Sequence, residues 1–126
     1  MSKDYNITEA EYEVMNIIWE NTPIKGRDVV NLLQQKKDWK DSTIFTLIRR
    51  LVQKGVIKSK TEQKCFVYYP LISKEACMES EGKSFVNRFF DGAFTPMLAH
   101  FAESVSLSQK DIDQLKKVLE KQSEKG

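Results

Sequence analysis

Apolar side chains recur at helical spacing three times in the first half of the chain. This periodicity predicts helices at about residues 9–20, 26–37 and 42–54. Thr8 and Glu11 have the spacing of a capping box at the start of the first helix. We expect Asp41 or Ser42 to cap the third helix and Gly55 to end it. The stripe of the third helix follows the i, i+3, i+4, i+7 pattern in Ile44, Leu47, Ile48 and Leu51.

The pattern changes to β after Gly55. Residues 56–61 and 65–71 alternate or are rich in β-branched and aromatic side chains, with a short polar loop between them. These two segments predict a β-hairpin whose turn type the sequence leaves open. Ile24 is expected to add a stub of strand, and Pro70 either to end the second hairpin strand or to lie at its edge.

Helical patterning returns after Ser73. It predicts helices at about 74–90, 94–103 and 109–123, with a break at Gly92. The predicted fold class is therefore mainly α with a small β-hairpin. Three helices followed by a hairpin form the plan of a winged helix-turn-helix, here assigned to residues 1–72. Residues 73–126 are assigned to a C-terminal helical region.

Charge is concentrated around the third helix and the hairpin. The chain carries a net charge of +2, but residues 36–64 contain nine lysines and arginines against three acids. A basic block in an otherwise mildly acidic chain favours a polyanionic partner. A solvated surface is the alternative that charge alone leaves open.

The face of the third helix opposite its apolar stripe is polar and basic. A helix of this kind fits the major groove of DNA, and the hairpin lysines would then lie near flanking phosphates. An ordinary amphipathic helix, or a winged helix that binds protein instead of DNA, remains open at this point. The predicted DNA contacts are Ser42, Thr43, Phe45, Thr46, Arg49, Arg50, Lys58, Lys60 and Lys64.

The C-terminal region has more aromatic and aliphatic side chains than three short helices can bury. Pairing with a second copy would cover them, and a two-fold dimer would present two recognition helices to a palindromic duplex. The alternatives are that these side chains fold back on the winged region, or that they line an effector pocket that includes Met97. The predicted dimerisation residues are Phe85, Phe89, Phe90, Phe94, Leu98, Phe101, Leu115 and Leu119.

Other chemistry finds little support in the sequence. His100 is the only histidine, Cys65 and Cys77 form no pair motif, and no catalytic or phosphate-loop motif is present. We therefore predict no enzymatic activity, no metal site and no cofactor. No apolar run could span a bilayer, and the first residues lack a signal-peptide core, so a cytoplasmic protein without membrane insertion is expected.

Four stretches resemble the penicillinase-repressor family of BlaI/MecI/CopY-like regulators. They are ITEAEYEVMNIIW at 7–19, STIFTLIRRLVQKGVI at 42–57, FVYYPLI at 66–72 and SQKDIDQL at 108–115. The resemblance implies a homodimeric repressor that binds inverted repeats upstream of antibiotic-resistance or stress genes. It also implies an indirect partner, a membrane-embedded sensor protease that triggers cleavage at an Asn-Phe bond in the dimerisation region.

The sequence departs from the family pattern at three places. The bond that matches the cleavage site is His100-Phe101, which makes these two residues the candidate cleavage position. The C-terminal segment lacks the cysteine cluster of the copper-responsive branch, so copper sensing is not expected. Phe45 stands where the β-lactam-linked members have an arginine, so the preferred operator is expected to differ; the phenylalanine could pack on thymine methyls or against its own domain.

Overall fold

The computed structural model describes residues 5–125 and confirms the predicted fold class. Six helices accompany a small sheet of three strands in this part of the chain. The elements are α1 (Glu9–Asn21), β1 (Ile24–Lys25), α2 (Gly26–Gln34), α3 (Asp41–Gln53), β2 (Ile57–Glu62), β3 (Cys65–Pro70), α4 (Lys74–Phe90), α5 (Phe94–Ser104) and α6 (Gln109–Lys125).

Reciprocal capping boxes begin α1 and α6. At α1 the amide of Glu11 donates to Thr8 Oγ1 at 3.2 Å, and the amide of Thr8 donates to Glu11 Oε1 at 2.8 Å. The same exchange links Ser108 and Asp111 at 3.1 and 3.3 Å. Each box satisfies backbone donors that the first turn of a helix leaves unpaired. The capping box predicted at Thr8 is thereby confirmed.

Two helix ends differ from the prediction. Helix α2 ends at Gln34 instead of near residue 37. The backbone amides that follow the helix donate hydrogen bonds to the carbonyl oxygens of Leu32 and Leu33. The predicted side-chain cap of α3 was wrong, because its N-cap is Lys40 and no side chain bonds there. The carboxylate of Asp41 is engaged by α2 instead. Gly55 follows the end of α3 with a φ of +78°, as its position predicted.

The sheet has the order β1-β3-β2 and is antiparallel throughout. The stub of strand predicted at Ile24 is present and pairs with Tyr68. The hairpin of β2 and β3 forms the wing, and its last pair is Glu62 with Cys65. Gln63 and Lys64 between them both have positive φ, 48° and 68°, which is the signature of a type I′ turn.

The core lies among α1, α2, α3 and the sheet. Fully buried aliphatic side chains from each helix meet there, among them Ile18, Leu33 and Ile48. Trp19 packs at the edge of this core, and its indole Nε1 donates to the carbonyl oxygen of Ile72 at 2.9 Å. Burial of one stripe of α3 in this way leaves its opposite face exposed to solvent.

The chain separates into two compact units, one ending at Ser84 and one beginning at Phe85, so α4 contributes to both. The functional boundary predicted between residues 72 and 73 stays a prediction. Among the described helices, none combines the length and the apolar character needed to cross a membrane.

Candidate nucleic-acid interface

The exposed face of α3 brings together most of the side chains that the sequence pointed to. Ser42, Thr43, Arg49 and Arg50 are exposed, and Thr46 is half-buried. The hydroxyl of Thr46 donates to the carbonyl oxygen of Ser42 at 2.9 Å, so its oxygen is left as an acceptor. Together these side chains form a polar surface that contains both donors and acceptors.

A shallow depression of about 240 Å³ lies on this face. It is lined by Ser42, Thr43, Thr46, Leu47 and Arg50. Four of these five residues are predicted DNA contacts, and the fifth, Leu47, is a buried core residue that forms the floor. The face therefore combines short hydroxyl side chains with one long cation, a set suited to base edges and phosphate oxygens.

Phe45 packs against its own domain. Its ring is half-buried against the core, and the guanidinium carbon of Arg27 lies 5.5 Å from the ring centroid. A Cβ on Gly26 would meet Cε1 of Phe45 at 3.1 Å and Cε2 of Tyr68 at 3.3 Å. Because Gly26 has no side chain, the rings of Phe45 and Tyr68 can both pack against the start of α2.

The first turn of α3 is tied to α2 through Asp41. Its carboxylate accepts from Arg27 Nη1 and from Gln34 Nε2, both at 2.7 Å. The hydrogen bond from Arg27, and then that from Gln34, holds the pKa of Asp41 below its ordinary value. Gln34 also donates to the carbonyl oxygen of Trp39 at 3.0 Å. These bonds orient the two helices of the helix-turn-helix and pair the single acid of the α3 first turn with a cation.

The wing carries three of the predicted cations. Lys58 and Lys60 are exposed on β2, and Lys64 lies in the turn. Successive side chains of a strand point to opposite faces, so Lys58 and Lys60 share one face and Ser59 lies on the other. Ser59 borders α3, and the two lysines therefore lie on the side of the wing away from it.

Arginines and lysines at the interface lack internal counter-charges. Across residues 5–125, no ion pair involves Arg49, Arg50, Lys58, Lys60 or Lys64. A cationic surface of this kind is typical of proteins that bind a polyanion.

Lys54 is the exception within the basic stretch. Its ammonium group donates to the buried carboxylate of Glu11 and, at 2.6 Å, to the carbonyl oxygen of Asn6. Burial acts to raise the pKa of Glu11, but hydrogen bonds from Lys54 and Thr8 outweigh it and the pKa is lowered. Lys54 therefore holds the end of α3 to the start of α1 and is not part of the cationic surface.

Sequence reasoning missed Arg27, Gln34 and Phe66 at this interface. Arg27 and Gln34 lie seven residues apart on α2 and so share one helical face, a signal that the sequence did offer. Phe66 is 63% exposed. Because successive side chains of a strand point to opposite faces, Phe66 lies on the face opposite to that of Val67, which is buried.

The second unit contains an aromatic cluster. Phe85 lies 5.0 Å from Phe89, 6.1 Å from Phe90 and 6.2 Å from Phe101 between ring centroids. Helix α5 nevertheless buries none of its residues. Of the predicted dimerisation residues, those at least two-fifths exposed are Phe89, Phe94, Leu98, Phe101, Leu115 and Leu119.

The candidate cleavage position lies within α5. His100 is exposed, and its ring centroid is 5.3 Å from that of Phe101 and 6.1 Å from that of Phe90. Of the two cysteines, Cys65 is exposed on the wing and Cys77 is buried, where burial and then the charge of Glu81 raise the pKa of its thiol. In the part of the chain that the structure describes, no cluster of metal-ligating side chains is found.

Known proteins resemble this chain in sequence and in fold. Residues 7–121 match the penicillinase repressor family. The methicillin resistance regulatory protein MecI of Staphylococcus aureus is 38% identical over 120 residues, which cover 95% of this chain and 98% of that protein. The penicillinase repressor of Bacillus licheniformis is 36% identical over 120 residues, covering 95% and 94%.

A solved structure resembles part of the chain. The monomeric form of Bacillus licheniformis BlaI, determined in complex with the blaP half-operator, superposes with a TM-score of 0.54 at 36% identity. The match covers 60% of this chain and 93% of that one. The family resemblance inferred from the four sequence stretches is confirmed, and the chain belongs to the penicillinase repressor family.

Proposed function

We propose that this protein is a transcriptional repressor that binds a palindromic operator as a homodimer. The observation that carries the proposal is the outward face of α3, which combines Ser42, Thr43, Thr46 and Arg50 in one depression beside Arg49. A similar protein was solved in complex with a half-operator, which supports operator binding by this chain. As a repressor of this family it would act in the cytoplasm on antibiotic-resistance or stress genes.

Different side chains are assigned to different parts of the duplex. The hydroxyls of Ser42, Thr43 and Thr46 are short and suit base edges or nearby phosphates when α3 lies in the major groove. Arg49 and Arg50 reach guanine or phosphate. The wing lysines, Lys58, Lys60 and Lys64, would contact flanking phosphates, and these contacts give affinity without reading sequence.

A second copy of the chain is the proposed occupant of the apolar surface on the second unit. Six of the eight predicted dimerisation residues are at least two-fifths exposed in the single chain. Isologous pairing would remove this surface from water and place two α3 helices on two half-sites. The half-sites would be centred about one helical turn, or a multiple of it, apart.

Induction through cleavage at His100-Phe101 is the proposed release step, with a membrane sensor protease as the indirect partner. The bond lies inside α5, whose described residues are all at least partly exposed. A protease binds an extended backbone, so α5 would have to open locally before it is cut.

Fluorescence anisotropy with a duplex from the promoter upstream of the protein's own gene tests the function. We expect saturable binding that prefers this duplex to a scrambled one and weakens steeply as salt rises, because bound phosphates release counterions. Equal affinity for both duplexes, or no binding at low salt, would contradict the proposal. Salt-insensitive capture of a protein partner would favour a protein-binding winged helix instead.

A further inference from the structure

A groove separates the second half of α3 from the wing. It measures about 310 Å³, and its walls include Arg49 and Val52 from α3 and Ser59, Phe66 and Tyr68 from the wing. No carboxylate lines it. The groove therefore offers a cation, a hydroxyl and aromatic surface within one concave space.

Phe66 is the distinctive member of this lining. It is 63% exposed, whereas Tyr68 on the same face of β3 is partly buried against the core. A single exposed apolar side chain is common and carries no meaning alone. Phe66, however, borders the groove together with Arg49 and the exposed Val52, while Leu71, another exposed apolar residue of the first unit, does not.

The chemistry of the groove matches a sugar–phosphate strand. Such a strand alternates an anionic group with a compact, largely apolar ring. The guanidinium of Arg49 and the hydroxyl of Ser59 are donors for phosphate oxygens, and the ring of Phe66 presents apolar area to a sugar. Because no acid lines the groove, nothing within it repels the strand.

We propose that Phe66 is a DNA contact, which packs against a deoxyribose of the strand whose phosphate is bound by Arg49. This inference rests on the proposed operator binding and adds a residue and a contact type to it. A sugar contact carries no base information and releases no counterion. Phe66 therefore contributes affinity equally to operator and non-operator duplexes, and independently of salt.

The test compares four variants on the promoter duplex and on a scrambled duplex of equal length, over a range of salt concentrations. Phe66→Ala is expected to weaken binding to both duplexes about fivefold at every salt concentration, through loss of buried apolar area. Phe66→Leu is expected to retain most of the affinity. Arg49→Ala is expected to lower the salt slope by about one. Leu71→Ala, the matched control, is expected to bind like the native protein.

Several results would overturn the inference. Native affinity of Phe66→Ala, or a fall in its salt slope like that of Arg49→Ala, excludes a sugar contact. Loss confined to the promoter duplex would mean that Phe66 reads a base. The thermal unfolding temperatures of Phe66→Ala and Phe66→Leu are the control for folding. If they match that of the native protein, a loss of affinity reports a lost contact with DNA and not a lost fold. If the native protein binds neither duplex, the proposed function fails together with this inference. If the native protein binds and Phe66→Ala binds equally well, this inference alone fails.

Discussion

Lys54 and Glu11 illustrate how packing decides the role of a charged residue. Lys54 lies in the most basic stretch of the sequence, yet its ammonium group is bound to a fully buried carboxylate. The pair joins α1 to the end of α3 and satisfies a backbone carbonyl of Asn6 as well. Removal of the cation would leave a carboxylate desolvated and unpaired, which is costlier than the loss of a surface ion pair.

Lys54→Met is expected to destabilise the protein by about 2–3 kcal/mol at neutral pH, since the charge of Glu11 would then be buried without a counter-charge. Chemical denaturation at fixed protein concentration measures this loss. Lys58→Met, on the exposed wing, is the control and should change the free energy of unfolding by no more than about 0.5 kcal/mol. Equal effects of the two substitutions would contradict the role given to Lys54.

The ion pair of Lys54 and Glu11 also predicts that the stability of the protein depends on pH. The pKa of Glu11 is lowered on folding from an ordinary value of 4.5, so its ionised form stabilises the native protein above that pH. This contribution is lost as the pH falls through the lowered value. In Lys54→Met, only the hydrogen bonds from Thr8 still oppose the effect of burial on Glu11, and protonation relieves that burial cost, so the stability gap to the native protein should narrow on acidification. A gap that stays constant between neutral pH and pH about 4 would contradict this.

Arg50 provides a direct test of the proposed operator contact, because it is the one cation among the described residues that line the depression on α3. Arg50→Ala is expected to weaken binding to the promoter duplex by about 1–3 kcal/mol if the guanidinium reaches a base or clamps a phosphate. Lys74→Ala removes an exposed cation at the start of α4 and serves as the charge-matched control. An unchanged affinity in anisotropy titrations would remove Arg50 from the contact surface.

At the scale of elements, the wing shows a conflict between sequence and backbone. A type I′ turn favours Asn-Gly, yet the residues with positive φ are Gln63 and Lys64. Side chains with a Cβ adopt this region at a cost that glycine does not have. The wing therefore forms because β2 and β3 pair along six residues and because β1 extends the sheet, and its turn sequence works against it.

Lys64→Gly is expected to raise the free energy of unfolding by about 0.5–1 kcal/mol, because glycine relieves the strain at a φ of +68°. Lys60→Gly places the same substitution within β2, where glycine weakens a strand, and should lower stability instead. Thermal or chemical unfolding of the pair gives the comparison. Two effects of the same sign would contradict the assigned turn.

The elements also show what local sequence can predict. Periodicity and capping residues located the helices and the hairpin to within a few residues, since these signals act over one or two turns. The uncapped start of α3 and the role of Lys54 follow from contacts with other elements. Arg27 and Gln34 of α2 bind Asp41, and Lys54 binds Glu11 of α1. The polar face of α3 was predictable because it needs only the helical period, whereas the groove around Phe66 needs the placement of the wing.

For the whole molecule, the second unit is the part that exposes many apolar side chains in a single chain. Phe85, Phe90 and Phe101 contact one another, but α5 contains no buried residue and α6 leaves Leu115 and Leu119 exposed. Exposed apolar surface on this scale marks an interaction site. The winged unit, by contrast, has a closed core of its own.

Leu98→Asp is expected to convert the proposed dimer to a monomer at micromolar concentration, because it places a charge in an apolar interface. Sedimentation equilibrium gives the mass. Leu71→Asp, at an exposed apolar position of the first unit, is the control and should leave the dimer intact. A dimer that persists in Leu98→Asp, or a native protein that is monomeric, would contradict the assigned interface.

The solvent-exposed surface of α5 has a consequence for the lifetime of a repressor in the cell. When association completes a unit, dilution removes part of its stability by mass action. In the proposed dimer, newly made or dissociated chains would open more often at their C-terminal helices than paired ones, and open backbone is what cellular proteases degrade. Above the concentration at which chains pair, the protein would thus be protected from degradation. Cleavage of one partner would speed the degradation of both.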